Sequence, residues 1–339
     1  VKKKNPVPLL EFTSKGIYCS LADVYLDPWR PVAKAIISHG HADHARWGHK
    51  QYITHQDNVA ILKHRLGAIV VSGKAYGETF SINNVTFSFH PSGHVIGAAQ
   101  IRVEHRGEVW VFTGDYKIKN DGLTLPFEPV KCHTFITEST FGIPVFHWPD
   151  PVEVHTAINH WWAANNKAGR ASLLLGYSLG KAQRLLHFLD PSIGPIYTHS
   201  AVGNMTAVFE GTHAFPPYQN LTAETSKKAL AGSLILAPPA ATEAAWLRKL
   251  GDYRSGFASG WMHTRGARRR RAVDQAFVLS DHADWPGLLA AVKATQCENV
   301  ITTHGYTDLF AQYLREKGWN ARTEKTNYEG ESIDPKPTL

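Results

Sequence analysis

The densest chemistry in the chain lies in seven consecutive residues, Ser38-His39-Gly40-His41-Ala42-Asp43-His44. They follow the short apolar run Ala35 to Ile37, which reads as a strand. In an extended segment residues i and i+2 point the same way, so His39 and His41 can grip one cation while Asp43 and His44, on the turn beyond, face a second. Histidine is abundant here, 19 in all, so an isolated one such as His55 or His160 reads as a surface or satisfied core residue. Four ligand-type side chains within six residues read as a metal site. Two later loops extend the set. Pro91-Ser92-Gly93-His94 follows the strand-like run Val85 to Phe89, and Thr113-Gly114-Asp115 ends the run Val109 to Phe112. Alone, each is an ordinary turn. Together with the quartet, each at a strand end, they add a third imidazole and a carboxylate whose two oxygens can bridge two cations.

The elements that must carry these loops belong to a chain of 339 residues, longer than one core normally reaches, so two domains or one large insertion are expected. A hydrophobic fraction of 43% and a charged fraction of 19% exclude the disordered and fibrous classes. No apolar run reaches the roughly 18 residues that span a bilayer. Val1 to Pro6 is basic without the apolar stretch of a secretory signal, so the expected location is cytoplasmic. Cys19, Cys132 and Cys297 are odd in number and far apart, and are expected to be reduced and buried. The net charge of +7 favours a polyanionic partner such as nucleic acid.

Beyond the third loop, the run Thr134 to Thr137 reads as another strand, and Val152 to Asn165 and Lys181 to Leu189 have helical spacing. Ala171 to Gly176 is a buried strand leading into the second of those helices. At that junction either the helix-start N–H groups, the Ser178 hydroxyl and the Lys181 ammonium converge on one anion, such as a terminal phosphate, or the glycines ease a plain strand-to-helix turn with an exposed lysine. Between about Trp148 and Asp274 tryptophans cluster (Trp148, Trp161, Trp162) and the segment ends in Arg265, Arg268, Arg269, Arg270 and Arg271. That run is either a solvated helix end or the wall of a groove for a phosphate backbone. Strand character returns at Ala276 to Leu279. The expected organisation is a first domain over 1–147, an inserted domain over 148–274, and completion of the first over 275–339.

The HxHxDH quartet, the Ser92-Gly93-His94 loop and the Thr113-Gly114-Asp115 strand end resemble successive motifs of the metallo-β-lactamase fold, with Asp27 of Leu26-Asp27-Pro28-Trp29 resembling its supporting aspartate. Downstream, Ile136 to Gly142, Leu279 to Asp284 and Thr303-His304-Gly305 resemble motifs A, B and C of the β-CASP nucleases. Gly176 to Arg184, Gly260-Trp261-Met262 and the arginine run look like the bacterial ligase-associated DNA exonucleases, which also resemble mRNA 3′-end processing nucleases. The resemblance implies an αββα sandwich with an inserted β-CASP α/β domain. It implies His39, His41 and His94 on one divalent ion, Asp43, His44 and His304 on another, and Asp115 bridging. His282 is then suited to protonate the leaving 3′-oxygen, with Glu138 holding it oriented. Imidazole and carboxylate donors without thiolate suit zinc and tolerate manganese. The implied substrate is DNA, in repair beside an ATP-dependent ligase and helicase. RNA stays open, because His304 is present as in the RNA-cleaving branch. A lactamase or thioesterase on the same fold would lack the insertion and the arginine run, and a catalytically dead subunit should have lost ligands.

Overall fold

A computed structural model of the chain describes residues 8–243 and 245–328. The basic start Val1 to Pro6 and the end of the expected completing segment, 329–339, lie outside them. The chain is a mixed α/β protein of two compact units, residues 8–146 with 282–328, and residues 147–281.

In the first unit, two sheets form the middle layers. One has the strand order Glu11–Phe12, Ile17–Cys19, Val24–Leu26, Lys34–Ile37, Gln51–His55, Val71–Lys74. The other has the order Asn320–Thr323, Asn299–Gly305, Thr134–Ser139, Glu108–Phe112, Ala99–His105, Val85–Pro91, Thr79–Ile82. Strand Ala99–His105 alternates buried Ile101 and Val103 with polar Arg102 and Glu104, as a strand with one wet face does. The inner strands of the second sheet pair in parallel and read as nearly unbroken apolar or β-branched runs, because both faces are covered. Ile17, Val24, Leu26 and Ile36 of one sheet meet Phe87, Phe89, Ile101 and Phe112 of the other in a shared core. On the outer face of the first sheet, Ala35, Ile37 and Tyr52 pack against Leu62 of helix Gln56–Leu66. On the outer face of the second, Val111, Phe135 and Val300 pack against Leu288 and Val292 of helix Trp285–Thr295 and Phe310 and Leu314 of helix Thr307–Glu316. The layers therefore run helix, sheet, sheet, helix.

The second unit has one six-stranded sheet, all parallel, in the order Gln219–Asn220, Ile196–Thr198, Leu234–Ala237, Ala171–Leu175, Tyr253–Ala258, Gln275–Phe277. Strand Ala171–Leu175 is buried on both faces, Leu174 in one core and Leu173 and Leu175 in the other. Helix Pro151–Lys167 starts on an Asp150 cap with Pro151 in its first turn, and buries Val154, Ile158 and Trp162. One expectation is corrected. Strand Gln275–Phe277 does not return to the first domain but pairs with Tyr253–Ala258 as the edge of the second sheet, so the chain re-enters the first unit only at His282. Cys19, Cys132 and Cys297 are buried and free of disulfides.

Candidate metal centre

Every member of the centre stands where a strand ends. The quartet leaves strand Lys34–Ile37, His94 follows Val85–Pro91, Asp115 follows Glu108–Phe112, and His304 lies near the end of Asn299–Gly305. Backbone bonds stitch the loops together, from Ala99 N–H to the Ser38 carbonyl (2.9 Å) and from Lys117 N–H to the Ser92 carbonyl (3.0 Å). Gly114 adopts φ +55° where a Cβ would come within 2.5 Å of the Ser38 hydroxyl, so only glycine lets the Asp115 turn sit against the quartet. At the register shift between strands Thr134–Ser139 and Asn299–Gly305, Glu138 faces Thr303 and Ser139 faces Gly305. His304 is the extra residue of that bulge, the device by which a strand re-aims a side chain.

Asp115 divides the imidazoles into two sets. Its Oδ2 lies 3.4 Å from His39 Nε2 and 3.6 Å from His94 Nε2. Its Oδ1 lies 3.0 Å from His304 Nε2 and 3.5 Å from His44 Nε2. In the first set His41 Nδ1 is 3.2 Å from His39 Nε2 and 3.0 Å from His94 Nε2. Beside the second set Asp43 Oδ2 is 3.7 Å from His44 Nε2. His39, His41, His94 and Asp115 offer ligand atoms within 4.8 Å of one another, as do His44, Asp115 and His304. The centre is buried at His39, His44, His94 and Asp115 and half-buried at His41, Asp43 and His304, which leaves it open on one side.

The electrostatics suit a cation. Burial, with His44 alongside, holds His39 neutral at a pKa of about 3, and burial drives His94 well below the usual imidazole range. Neutral imidazole is the form that binds metal. Burial opposes charge on His44 too, but Asp115, Asp43 and Asp27 outweigh it and raise its pKa to about 9. A field that favours imidazolium also favours a metal ion. The donor groups fit such an ion. His44 Nδ1 is engaged by Asp27 Oδ2 at 2.7 Å, and its buried Nε2, aimed at the carboxylates, has no hydrogen-bond partner among the described residues. Asp27 also accepts from the Ser38 N–H at 2.7 Å and from the Ser38 hydroxyl, and Ser38 Oγ lies 3.0 Å from His39 Nδ1. One aspartate thereby orients a ligand of each set.

Next to the centre, His282 Nδ1 lies 2.9 and 3.0 Å from the two oxygens of Glu138, which also accepts from the Tyr116 N–H at 2.8 Å. The carboxylate fixes the imidazole by Nδ1. Asp115, Glu138 and His282 also offer ligand atoms within 4.8 Å of one another.

No protein-family model matches the chain. It is 33% identical over 313 residues to a "Probable DNA ligase" of Opitutus terrae, covering 91% of this chain but 30% of that protein. It is 36% identical over 118 residues to "Endoribonuclease ysh-1" of Neurospora crassa, covering 34% of this chain and 14% of the relative. The chain therefore spans less than a third of either relative. Both likenesses are consistent with the metallo-β-lactamase/β-CASP family. A protein of unknown function from Enterococcus faecalis V583 shares its fold, with a TM-score of 0.61 over 87% of this chain and 80% of that one at 12% identity.

The expected anion pocket at Ser178 and Lys181 needs correction. Lys181 is fully buried, its ammonium 2.8 Å from Asp281 Oδ2 and donating to the Leu279 carbonyl at 3.1 Å, and Arg184 grips the other oxygen of Asp281. An ammonium buried and paired this way is not offered to a phosphate. The half-buried Ser178 gives its carbonyl to Gln183 Nε2 at 3.1 Å. Arg265, Arg268, Arg269 and Arg270 are exposed on the short helix Arg265–Arg271. Arg268 is tied by its Nε to the Met262 carbonyl, and Arg271 lies 4.8 Å over the Phe257 ring. His55 caps helix Gln56–Leu66 and stacks on Tyr76, the structural role expected of an isolated histidine. Two contributors escape sequence reasoning. Ser38 reads there only as a spacer before His39. Tyr328, directly after the polar stretch Glu324 to Asn327, carries no periodic or motif signal, yet it stacks on His44.

Proposed function

We propose that this chain is a cytoplasmic metal-dependent phosphodiesterase that degrades DNA as an exonuclease, in repair beside an ATP-dependent ligase and helicase. One observation carries the reading: the two oxygens of Asp115 face two separate sets of imidazole nitrogens, the arrangement of a carboxylate bridging two cations. In this reading the helix–sheet–sheet–helix unit is the metallo-β-lactamase sandwich and residues 147–281 are the β-CASP insertion. His39, His41 and His94 hold one ion, Asp43, His44 and His304 the other, and zinc fits the all-nitrogen-and-oxygen donors, with manganese tolerated.

A pair of divalent ions so held supplies activation of water toward phosphorus and neutralisation of the charge that builds on the phosphate oxygens. The chain's own residues do the rest. Glu138 keeps His282 upright, and His282 gives a proton to the departing 3′-oxygen. The exposed Arg265, Arg269 and Arg270 attract the phosphate backbone.

The ligase-named relative supports the DNA reading, because it holds a region matching nearly this whole chain within a much longer protein. The endoribonuclease relative and the presence of His304 favour a second reading, RNA cleavage. The deciding experiment incubates the purified chain with end-labelled single- and double-stranded DNA and RNA of one sequence, with and without chelator. Progressive shortening of DNA from one end, abolished by chelator and restored by Zn²⁺ or Mn²⁺, is expected. Preferred cleavage of RNA would move the chain to the second reading, and no cleavage of any substrate would defeat both.

A further inference from the structure

We propose that Tyr328 is a positioning residue for the ion site formed by His44 and His304, an inference that rests on the metal-centre reading above. The residue is buried, 6% exposed, and its ring lies nearly parallel to the His44 imidazole, centroids 4.2 Å apart and planes at 10°. The same ring presents itself edge-on to His304 at 5.6 Å and 80°, and Trp29 meets it edge-on at 5.6 Å. Its hydroxyl donates to the Asp27 carbonyl at 3.1 Å, on the residue whose carboxylate holds His44 Nδ1. Beside it, the Asn327 carbonyl accepts from Arg46 at 3.0 Å, which ties this segment to the turn that follows the quartet.

The two restraints on His44 are complementary. A hydrogen bond at Nδ1 fixes where that nitrogen sits but leaves the ring free to tilt about the Nδ1–oxygen axis. A parallel ring packed against the imidazole face removes the tilt, and so aims Nε2 at the space between Asp43 and Asp115. The edge contact to His304 does the same for the second imidazole of that site. Tyr328 thus acts through the ligands and touches no reacting atom.

The test titrates Zn²⁺ into the chelator-stripped full chain, comparing wild type with Tyr328→Leu and Tyr328→Phe. Wild type should show two sites. Tyr328→Leu should weaken one of them by about 10- to 100-fold, the usual cost of losing an orienting partner, and leave the other unchanged. Tyr328→Phe, which keeps the ring, should recover most of that loss. Should Tyr328→Leu not fold, Tyr328→Met removes the ring at similar volume and serves in its place. Two undisturbed sites without the ring, or equal weakening of both with no recovery in Tyr328→Phe, would overturn the inference while leaving the metal centre standing. A wild-type chain that binds no ion would overturn both.

Discussion

Around Asp115 in the first unit, five imidazoles crowd together with their nitrogens turned toward one another and toward one carboxylate. In the second unit the buried charges of Lys181, Arg184 and Asp281 meet in direct ion pairs. His39 and His94, held neutral by burial, turn their lone pairs toward a place for a cation, whereas the Lys181 ammonium and the Arg184 guanidinium each pair directly with an oxygen of Asp281. Burial of polar groups is common to both regions. Among the described residues only the first gathers metal-ligating donors around one carboxylate, and that is why the first reads as a site and the second as scaffold.

The contrast can be attacked from either side. Removing the shared carboxylate by Asp115→Ala should lower phosphodiester cleavage by more than about 10³, since single charge-stabilising groups alone carry 10² to 10³. Cleavage near the wild-type rate would mean that Asp115 bridges nothing. Somewhat smaller is the effect of His282→Ala, expected to slow cleavage by about 10² to 10⁴ with metal content unchanged, as for removal of a general acid. Loss of an ion in that variant, read by elemental analysis, would make His282 a ligand instead.

On the scaffold side, Asp281→Ala leaves two buried cations facing each other and should destabilise the chain by about 3–5 kcal/mol in denaturant unfolding. A shift below about 1 kcal/mol, the worth of an exposed pair, would show that the cluster is solvated and erase its difference from a surface salt bridge. The mildest change is Arg269→Ala with Arg270→Ala. It should leave unfolding untouched and flatten the salt dependence of nucleic-acid binding by about one log-log unit per lost phosphate contact. An unaltered slope would assign both arginines to plain solvated surface.

The same contrast explains what could be read before the fold was known. His39, His41, Asp43 and His44 were legible because strand periodicity and the turn after it decide locally which way each points, and His94 and Asp115 because each ends a strand with a clear apolar signal. The resemblance supplied His304, but not the bulge that turns it toward Asp115. Lys181 was misread as a phosphate ligand because its partner, Asp281, lies a hundred residues away in sequence, and nothing near Lys181 announces it. The boundary after the arginine run was misplaced for a related reason. Whether Gln275–Phe277 joins one sheet or the other depends on a parallel neighbour, Tyr253–Ala258, and not on its own composition. Tyr328 has no local signal at all, and its role exists only once Asp27, His44 and His304 are brought to it.

Whether Asp115 sits between two cations is decided by counting them. The purified wild-type chain, analysed for metals by mass spectrometry, should carry close to two divalent ions, Asp115→Ala should carry fewer, and chelator should remove ions and cleavage together. A chain that cleaves nucleic acid at full rate after its metal has been stripped to background would contradict that placement of Asp115.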